Sequence, residues 1–182
     1  MPLINLSNLN YLHIQVPEDE TGSLKNLTEF LCKNCINDLY RVRVIFKWIS
    51  ENIQYNWNCM GTEKTSEEIL HSHEGVSEHY SQIFRDMCAV VGIRSKMIQG
   101  FIKGYDYRPG HHFKPGEDFA HHWNAVFILG SWHLIDCTLA TGYTDHSGQF
   151  QKKLDEHFFL SDPEAFIWTH FPYNPDDGGF PK

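Results

Sequence analysis

The chain has 182 residues, a formal net charge of −8 and an ordinary globular composition rich in aromatic residues. That length suits a single domain with a full core. The acidic balance, with no Lys/Arg cluster to offset it, argues against nucleic acid or an anionic membrane as main partner.

No uninterrupted apolar run is long enough to cross a bilayer. The opening Met1-Pro2-Leu3-Ile4-Asn5-Leu6-Ser7 lacks the basic and apolar regions of a signal peptide. The expectation is therefore a cytoplasmic protein, unless it was cut from a longer precursor. The sequons at Asn5 and Asn26 carry little weight without a secretion signal. The odd count of 5 cysteines fits a reducing compartment. Cys32-x-x-Cys35 has no second pair to complete a zinc site and no preceding strand for a redox motif, so both residues are read as part of an apolar helix face.

In chain order, residues 1–20 read as irregular, with an acidic turn at Pro17-Glu18-Asp19-Glu20. Gly22 or Ser23 starts a helix whose buried face is Leu24, Leu27, Phe30 and Leu31. Asn37 or Asp38 caps a second helix, with a stripe of Tyr40, Val42, Ile45, Phe46, Ile49 and Ile53 and with Trp48 on its flank. Residues 55–61 are a loop. Thr65 or Ser66 caps a short helix through Glu67-Glu68-Ile69-Leu70. Gly75-Val76 then breaks the pattern, and Tyr80, Ile83, Phe84, Met87, Cys88 and Val91 mark one buried face of a longer helix ended by Gly92. Ser77 sits at the mouth of that helix, where free N–H groups and the positive dipole end are concentrated. Such a place suits an N-cap serine. It also suits a nucleophile and an oxyanion.

Beyond residue 95 the content becomes strand-like. Residues 96–102 and 121–128 read as strands separated by a long loop at 104–119, long enough to act as a lid. A tight turn at Gly130-Ser131 leads to a partner strand over 132–138. Residues 140–150 form another loop, Asp162-Pro163 opens a short helix, and residues 174–182 form a tail. Helices followed by an antiparallel sheet give an α+β class. The expected organisation is one domain over 1–182, with its core at about 38–173.

The hairpin carries His121 on one strand and Asp136 on the next. Pairing around Gly130-Ser131 puts Asp136 near residues 124 and 125, so contact with His121 depends on twist or on a bulge. A carboxylate on an imidazole fixes its tautomer and leaves the other ring nitrogen free for a nucleophile. The order of nucleophile on a helix, then His and Asp on strands, is papain-like.

These residues resemble the transglutaminase-like superfamily, most closely its kyphoscoliosis peptidase branch with related cytokinesis and cytoskeletal proteins. The matching pieces include Gly75-Val76-Ser77-x-x-Tyr80, His121-x-Trp123-Asn124-Ala125-Val126 and Trp132-x-Leu134-Ile135-Asp136-x-Thr138. The stretch Phe158-Phe159-Leu160-x-Asp162-Pro163 and the later His170-Phe171-Pro172 match as well. The resemblance implies a papain-like α+β fold with catalytic residues at His121 and Asp136. Ser77 falls where the family has its nucleophilic Cys, and a hydroxyl there ionises far less readily than a thiol.

Three readings follow: an engineered Cys→Ser change silencing a cysteine peptidase or transglutaminase-like enzyme, a natural pseudoenzyme that binds protein, or a working serine hydrolase. The implied partners are a protein or peptide, cytoskeletal proteins included, with no cofactor. The 12 histidines include the groups His71/His73/His79, His111/His112 and His121/His122, but none has recognised ligand spacing, so no metal is expected. Register could exchange His122 for His121; alignment of Trp123 and Asn124 selects His121. Trp57, Trp123 and Trp132 are read mainly as core, with a groove or oxyanion role as the alternative.

Overall fold

Caps set the helices. The structure, a computed structural model, describes residues 16–17, 21–104, 107–113, 120–145 and 147–173. The acidic turn, the tail and much of the expected lid lie outside the described residues. Helix α1 (Leu24–Cys32) begins where the Ser23 hydroxyl accepts from the Asn26 N–H, and α2 (Asp38–Asn52) where Asn37 accepts from the Tyr40 N–H. In α3 (Ser66–Ser72), Thr65 and Glu68 form a reciprocal capping box.

The buried faces differ from the expected stripes in detail. Thr28 joins the buried face of α1, while Phe30 is half-buried beneath the Lys33 ammonium, 3.7 Å from its ring. Helix α2 is buried without a break from Val42 to Ser50, not along one stripe. Enclosure on all sides obliges its cations to find partners. Arg43 pairs with Glu156, and Lys47 lies 3.7 Å from Glu51. Cys32 is buried on α1, whereas Cys35 lies past the helix end, half-buried.

The expected loop after α2 contains a short strand, β1 (Gln54–Tyr55), and a 3₁₀ turn at Trp57–Cys59. Strand β1 pairs in parallel with β2 (Glu74–Gly75), which delivers the chain directly into helix α4 (Ser77–Val90). Tyr80, Ile83, Phe84, Met87 and Cys88 of α4 are all buried, as the spacing predicts, and Gly92 follows at φ 74°.

Helix α4 packs on the main sheet. That sheet is antiparallel, in the order β5-β4-β3-β8, and comprises β3 (Ser95–Ile102), β4 (Ala120–Ile128), β5 (Ser131–Ile135) and β8 (His170–Pro172). Alternation along β4 feeds two cores: Val126 and Ile128 join α1, α2 and α4, while Trp123 and Ala125 join Ile98, Leu134 and Phe166.

The second half of the chain departs from expectation at several points. First, Ile128 pairs with Ser131, so the hairpin turn is Leu129-Gly130, one residue earlier than expected. Both turn residues have positive φ (53° and 79°), as a type I′ turn requires. Second, β5 stops at Ile135, and a helix, α5 (Cys137–Thr141), starts with Asp136 as its cap. A hairpin of β6 (Gly142–Thr144) and β7 (Phe150–Lys152) replaces the expected loop at 140–150. Third, after α6 (Pro163–Phe166), with Pro at its first position, the chain adds the edge strand β8. Pro172 is tolerated there because an edge strand does not need every N–H.

Gly100 of β3 is where this edge closes. It pairs with His121 on one side and Pro172 on the other. A Cβ at Gly100 would stand 2.2 Å from the Phe171 carbonyl oxygen and 2.6 Å from the Trp123 ring. The missing side chain thus admits both β8 and the Trp123 ring against β3, the strand that pairs with His121.

Two substitutions test this account. Gly100→Ala should lower unfolding stability by about 2–3 kcal/mol through overpacking, read as a fall in the denaturant midpoint; an unchanged midpoint would contradict the packing. Leu129→Asn, which gives the chain the favoured Asn-Gly turn at an exposed site, should raise stability by about 1 kcal/mol by relieving a left-handed leucine.

Candidate active site

Ser77 is the first residue of α4, and the extended Val76 precedes it as the cap residue. Val has no side-chain acceptor, so another group must hold this turn. His79 does so. Its Nδ1 accepts from the Val76 N–H at 3.1 Å, and its Nε2 lies 2.9 Å from the Thr62 carbonyl oxygen, to which it donates. That pair of bonds fixes one neutral tautomer. The sequence suggested His79 only as one of three histidines for a metal; the structure uses it to shape the helix mouth. Gly75 lies beneath it, where a Cβ would be 2.6 Å from the His79 Cβ.

The Ser77 side chain is buried, and its Oγ accepts from the backbone N–H of His122 at 3.3 Å. The hydroxyl therefore lies within bonding reach of the peptide that joins His121 to His122. Strand β4 crosses the tip of α4 at this point, and Asn124 further ties the two together by donating from Nδ2 to the Ser81 carbonyl oxygen at 3.1 Å.

Asp136 follows the last hairpin pair, Asn124 with Ile135. The register carried one step on places it opposite Trp123, diagonal to His121, and diagonal neighbours on one face are within reach of long side chains. The contact expected to need a bulge thus arises from the earlier turn. His121 Nε2 lies 2.7 Å from Asp136 Oδ2, and both residues are buried. The other oxygen, Oδ1, accepts from the Thr138 N–H at 2.8 Å and the Leu139 N–H at 2.9 Å, the first free N–H groups of α5. Of the two adjacent histidines it is His121 that meets Asp136. His122 is half-buried, and burial holds its imidazole below the usual range.

A fourth donor reaches the same carboxylate. His170, at the start of β8, places Nε2 3.0 Å from Asp136 Oδ2. It is buried, stacks on Phe166 with ring centroids 3.6 Å apart, and has Thr169 Oγ1 2.9 Å from its Nδ1. The sequence showed His170 only as part of a matching stretch, because no local pattern brings the edge strand to Asp136. Complete burial alone would push the Asp136 carboxyl up; His121 beside it, and the bonds from both imidazoles, hold it well below the usual carboxylate range. Burial lowers His170, opposed by Asp136.

His121, Asp136 and His170 bring three metal-ligand-type atoms within 4.8 Å of one another. The 2.7 and 3.0 Å contacts are hydrogen-bond lengths to one oxygen, so protons account for the cluster. Among the tryptophans, Trp123 is core, with its ring 5.0 Å from that of His170. Trp132 is half-buried against Phe127. Trp57 is 57% exposed, edge-on to Tyr55, which pairs with Gly75 near the mouth of α4. Of these three tryptophans, Trp57 is the exposed one, near the mouth of α4.

The mouse kyphoscoliosis peptidase is 36% identical to this chain over 159 residues, covering 84% of the chain and 24% of that protein. Hillarin of Drosophila melanogaster is 25% identical over 185 residues, covering 93% and 22%. The chain thus spans about a quarter of the length of these relatives. A Cytophaga hutchinsonii protein superposes with a TM-score of 0.52 at 16% identity, over 69% of this chain and 44% of that one. The periplasmic domain of TgpA from Pseudomonas aeruginosa gives 0.50 at 17% identity, over 68% and 46%. The fold is of the papain-like, transglutaminase-like kind that the family resemblance implied. The model of the Transglutaminase-like superfamily matches residues 25–137, from α1 to the residue after Asp136, and the chain belongs to that superfamily.

Proposed function

We propose that this domain is built for transglutaminase-like acyl transfer at a peptide or glutamine side-chain amide, with Ser77 in the nucleophile position, His121 as base and then acid, and Asp136 as its orienting carboxylate. The supporting observation is the buried 2.7 Å bond between His121 and Asp136, next to the peptide that Ser77 Oγ touches. An ionised carboxylate can only accept, so His121 carries its proton on Nε2 and, when neutral, has its lone pair on Nδ1. That nitrogen takes the nucleophile's proton as the nucleophile bonds to the carbonyl carbon, and returns it to the departing amine. Water or an amine then takes the acyl group by the same steps in reverse. The N–H groups of the first turn of α4 face the developing oxyanion.

With Ser77 this cradle is nearly silent, because a hydroxyl does not ionise there as a thiol would. In this reading the chain is a Cys→Ser variant of a cysteine peptidase or transglutaminase-like enzyme. The serine itself favours a second reading, a natural pseudoenzyme whose groove binds a protein segment without turnover. One relative, 23% identical over 181 residues, is the Schizosaccharomyces pombe cytokinesis protein 3, which directs the search for that partner to cytoskeletal proteins in the cytoplasm.

Ser77→Cys separates the two readings. A residue-77 thiol with its pKa lowered from about 8.5 to about 6.5 carries roughly 50-fold more thiolate at pH 6.5. A lower pKa also lowers intrinsic nucleophilicity, so iodoacetamide should label Cys at 77 about fivefold faster at that pH than it labels a free thiol such as N-acetylcysteine, and His121→Ala in that background should abolish the advantage. Labelling at the rate of the free thiol or slower would overturn the enzyme reading and leave the binding module.

A further inference from the structure

We propose that His170 is a positioning residue for the His121–Asp136 pair: its hydrogen bond to Asp136 Oδ2 limits how strongly that oxygen draws on the His121 proton. Its functional meaning rests on the acyl-transfer reading above; its physical content does not.

The geometry carries the inference. Asp136 Oδ1 is already occupied by the Thr138 and Leu139 N–H groups, so the carboxylate cannot turn. Both imidazoles must then share Oδ2, at 2.7 Å from His121 and 3.0 Å from His170. An oxygen that accepts two N–H groups offers each of them less charge than it would offer one alone. His170 is itself well fixed. Phe166 stacks on its ring, Trp123 meets it edge-on at 5.0 Å, and Thr169 Oγ1 sits at its Nδ1. With Asp136 ionised, His170 holds its proton on Nε2, and its Nδ1 faces the Thr169 hydroxyl, which also reaches the Phe166 carbonyl oxygen at 3.2 Å.

The orientation of Asp136 is thus set by α5, and the strength of its pull on His121 is set from β8. A base acts best when its proton affinity lies near the working pH. An imidazole bound to an unshared buried carboxylate holds its proton more tightly and returns it to a leaving amine less readily. The other titratable groups near the cluster are Tyr80 and Cys137, both raised by burial and therefore neutral, with Glu78 and His79 on α4 toward His122. Among the described residues, His170 is the only one besides His121 whose side chain bonds to Asp136.

The test is the titration of the His121 ring, followed by ¹⁵N NMR of histidine-labelled protein with Ser77 in place. In the parent chain, His170 should show a proton on Nε2 over the range in which Asp136 is ionised. His170→Phe keeps the stacking surface but removes the donor, and should raise the His121 midpoint by about one pH unit, a tenfold change in proton affinity. His170→Gln, which restores an N–H donor, should return it most of the way. An unchanged His121 midpoint in folded His170→Phe would overturn the proposal. If that variant does not fold, a parent His170 protonated on Nδ1 instead of Nε2 would overturn it equally.

The same substitutions in the Ser77→Cys background distinguish the two claims. A shifted His121 titration with no His121-dependent alkylation would leave the role of His170 standing and remove the acyl-transfer reading. His121-dependent alkylation whose pH midpoint ignores His170→Phe would do the reverse.

Discussion

A carboxylate taken wholly out of water is tolerated only when its lone pairs are filled. Asp136 fills them with two N–H groups from the start of α5 and two imidazoles from β4 and β8. Those four bonds come from three separate parts of the chain, so the ends of the sheet and the helix that follows β5 are tied at one point. Much of the surrounding architecture serves that meeting. The earlier hairpin turn brings Asp136 diagonal to His121, Gly100 lets β8 and Trp123 close over β3, and Phe166 backs His170.

The helix mouth is a second, independent construction. Parallel pairing of β1 with β2 aims the chain into α4, and His79 supplies the capping bond that Val76 lacks. Strand β4 passes over this mouth and donates its His122 N–H to Ser77 Oγ. The consecutive residues His121 and His122 thus join the two constructions: one bonds the carboxylate through its side chain, the other bonds Ser77 through its backbone. In the proposed chemistry, the residue at position 77 decides how much of this preorganisation becomes reaction. A thiol would draw on the positive helix end and the imidazole together, whereas a hydroxyl gains little from either.

The helical half was largely legible because its signals are local. Ser23, Asn37 and the Thr65/Glu68 box each begin a helix through bonds spanning only a few residues. The 3.6-residue spacing from Tyr80 to Cys88 marked the central buried face. Ser77, His121 and Asp136 stood out through residue type and family resemblance. What escaped was set by tertiary context. Leu129 at positive φ has no turn signature, so the turn was placed one residue late. Leu134-Ile135-Asp136-Cys137-Thr138 reads as one strand, because the apolar run hides a capping Asp within it. Strand β8 ends in a proline and is recognisable only beside β3, and with it the contribution of His170 stayed hidden.

The most direct measurement of this account is the ionisation of Asp136, read from the ¹³C shift of its carboxyl carbon during an acid titration of the folded chain. The shared hydrogen bonds predict that the carboxyl stays ionised well below the ordinary aspartate midpoint of about 3.9, with no change in its shift while the fold persists. A carboxyl that takes up its proton at or above that midpoint would show that the two imidazoles do not converge on it, and the arrangement built around it would not hold.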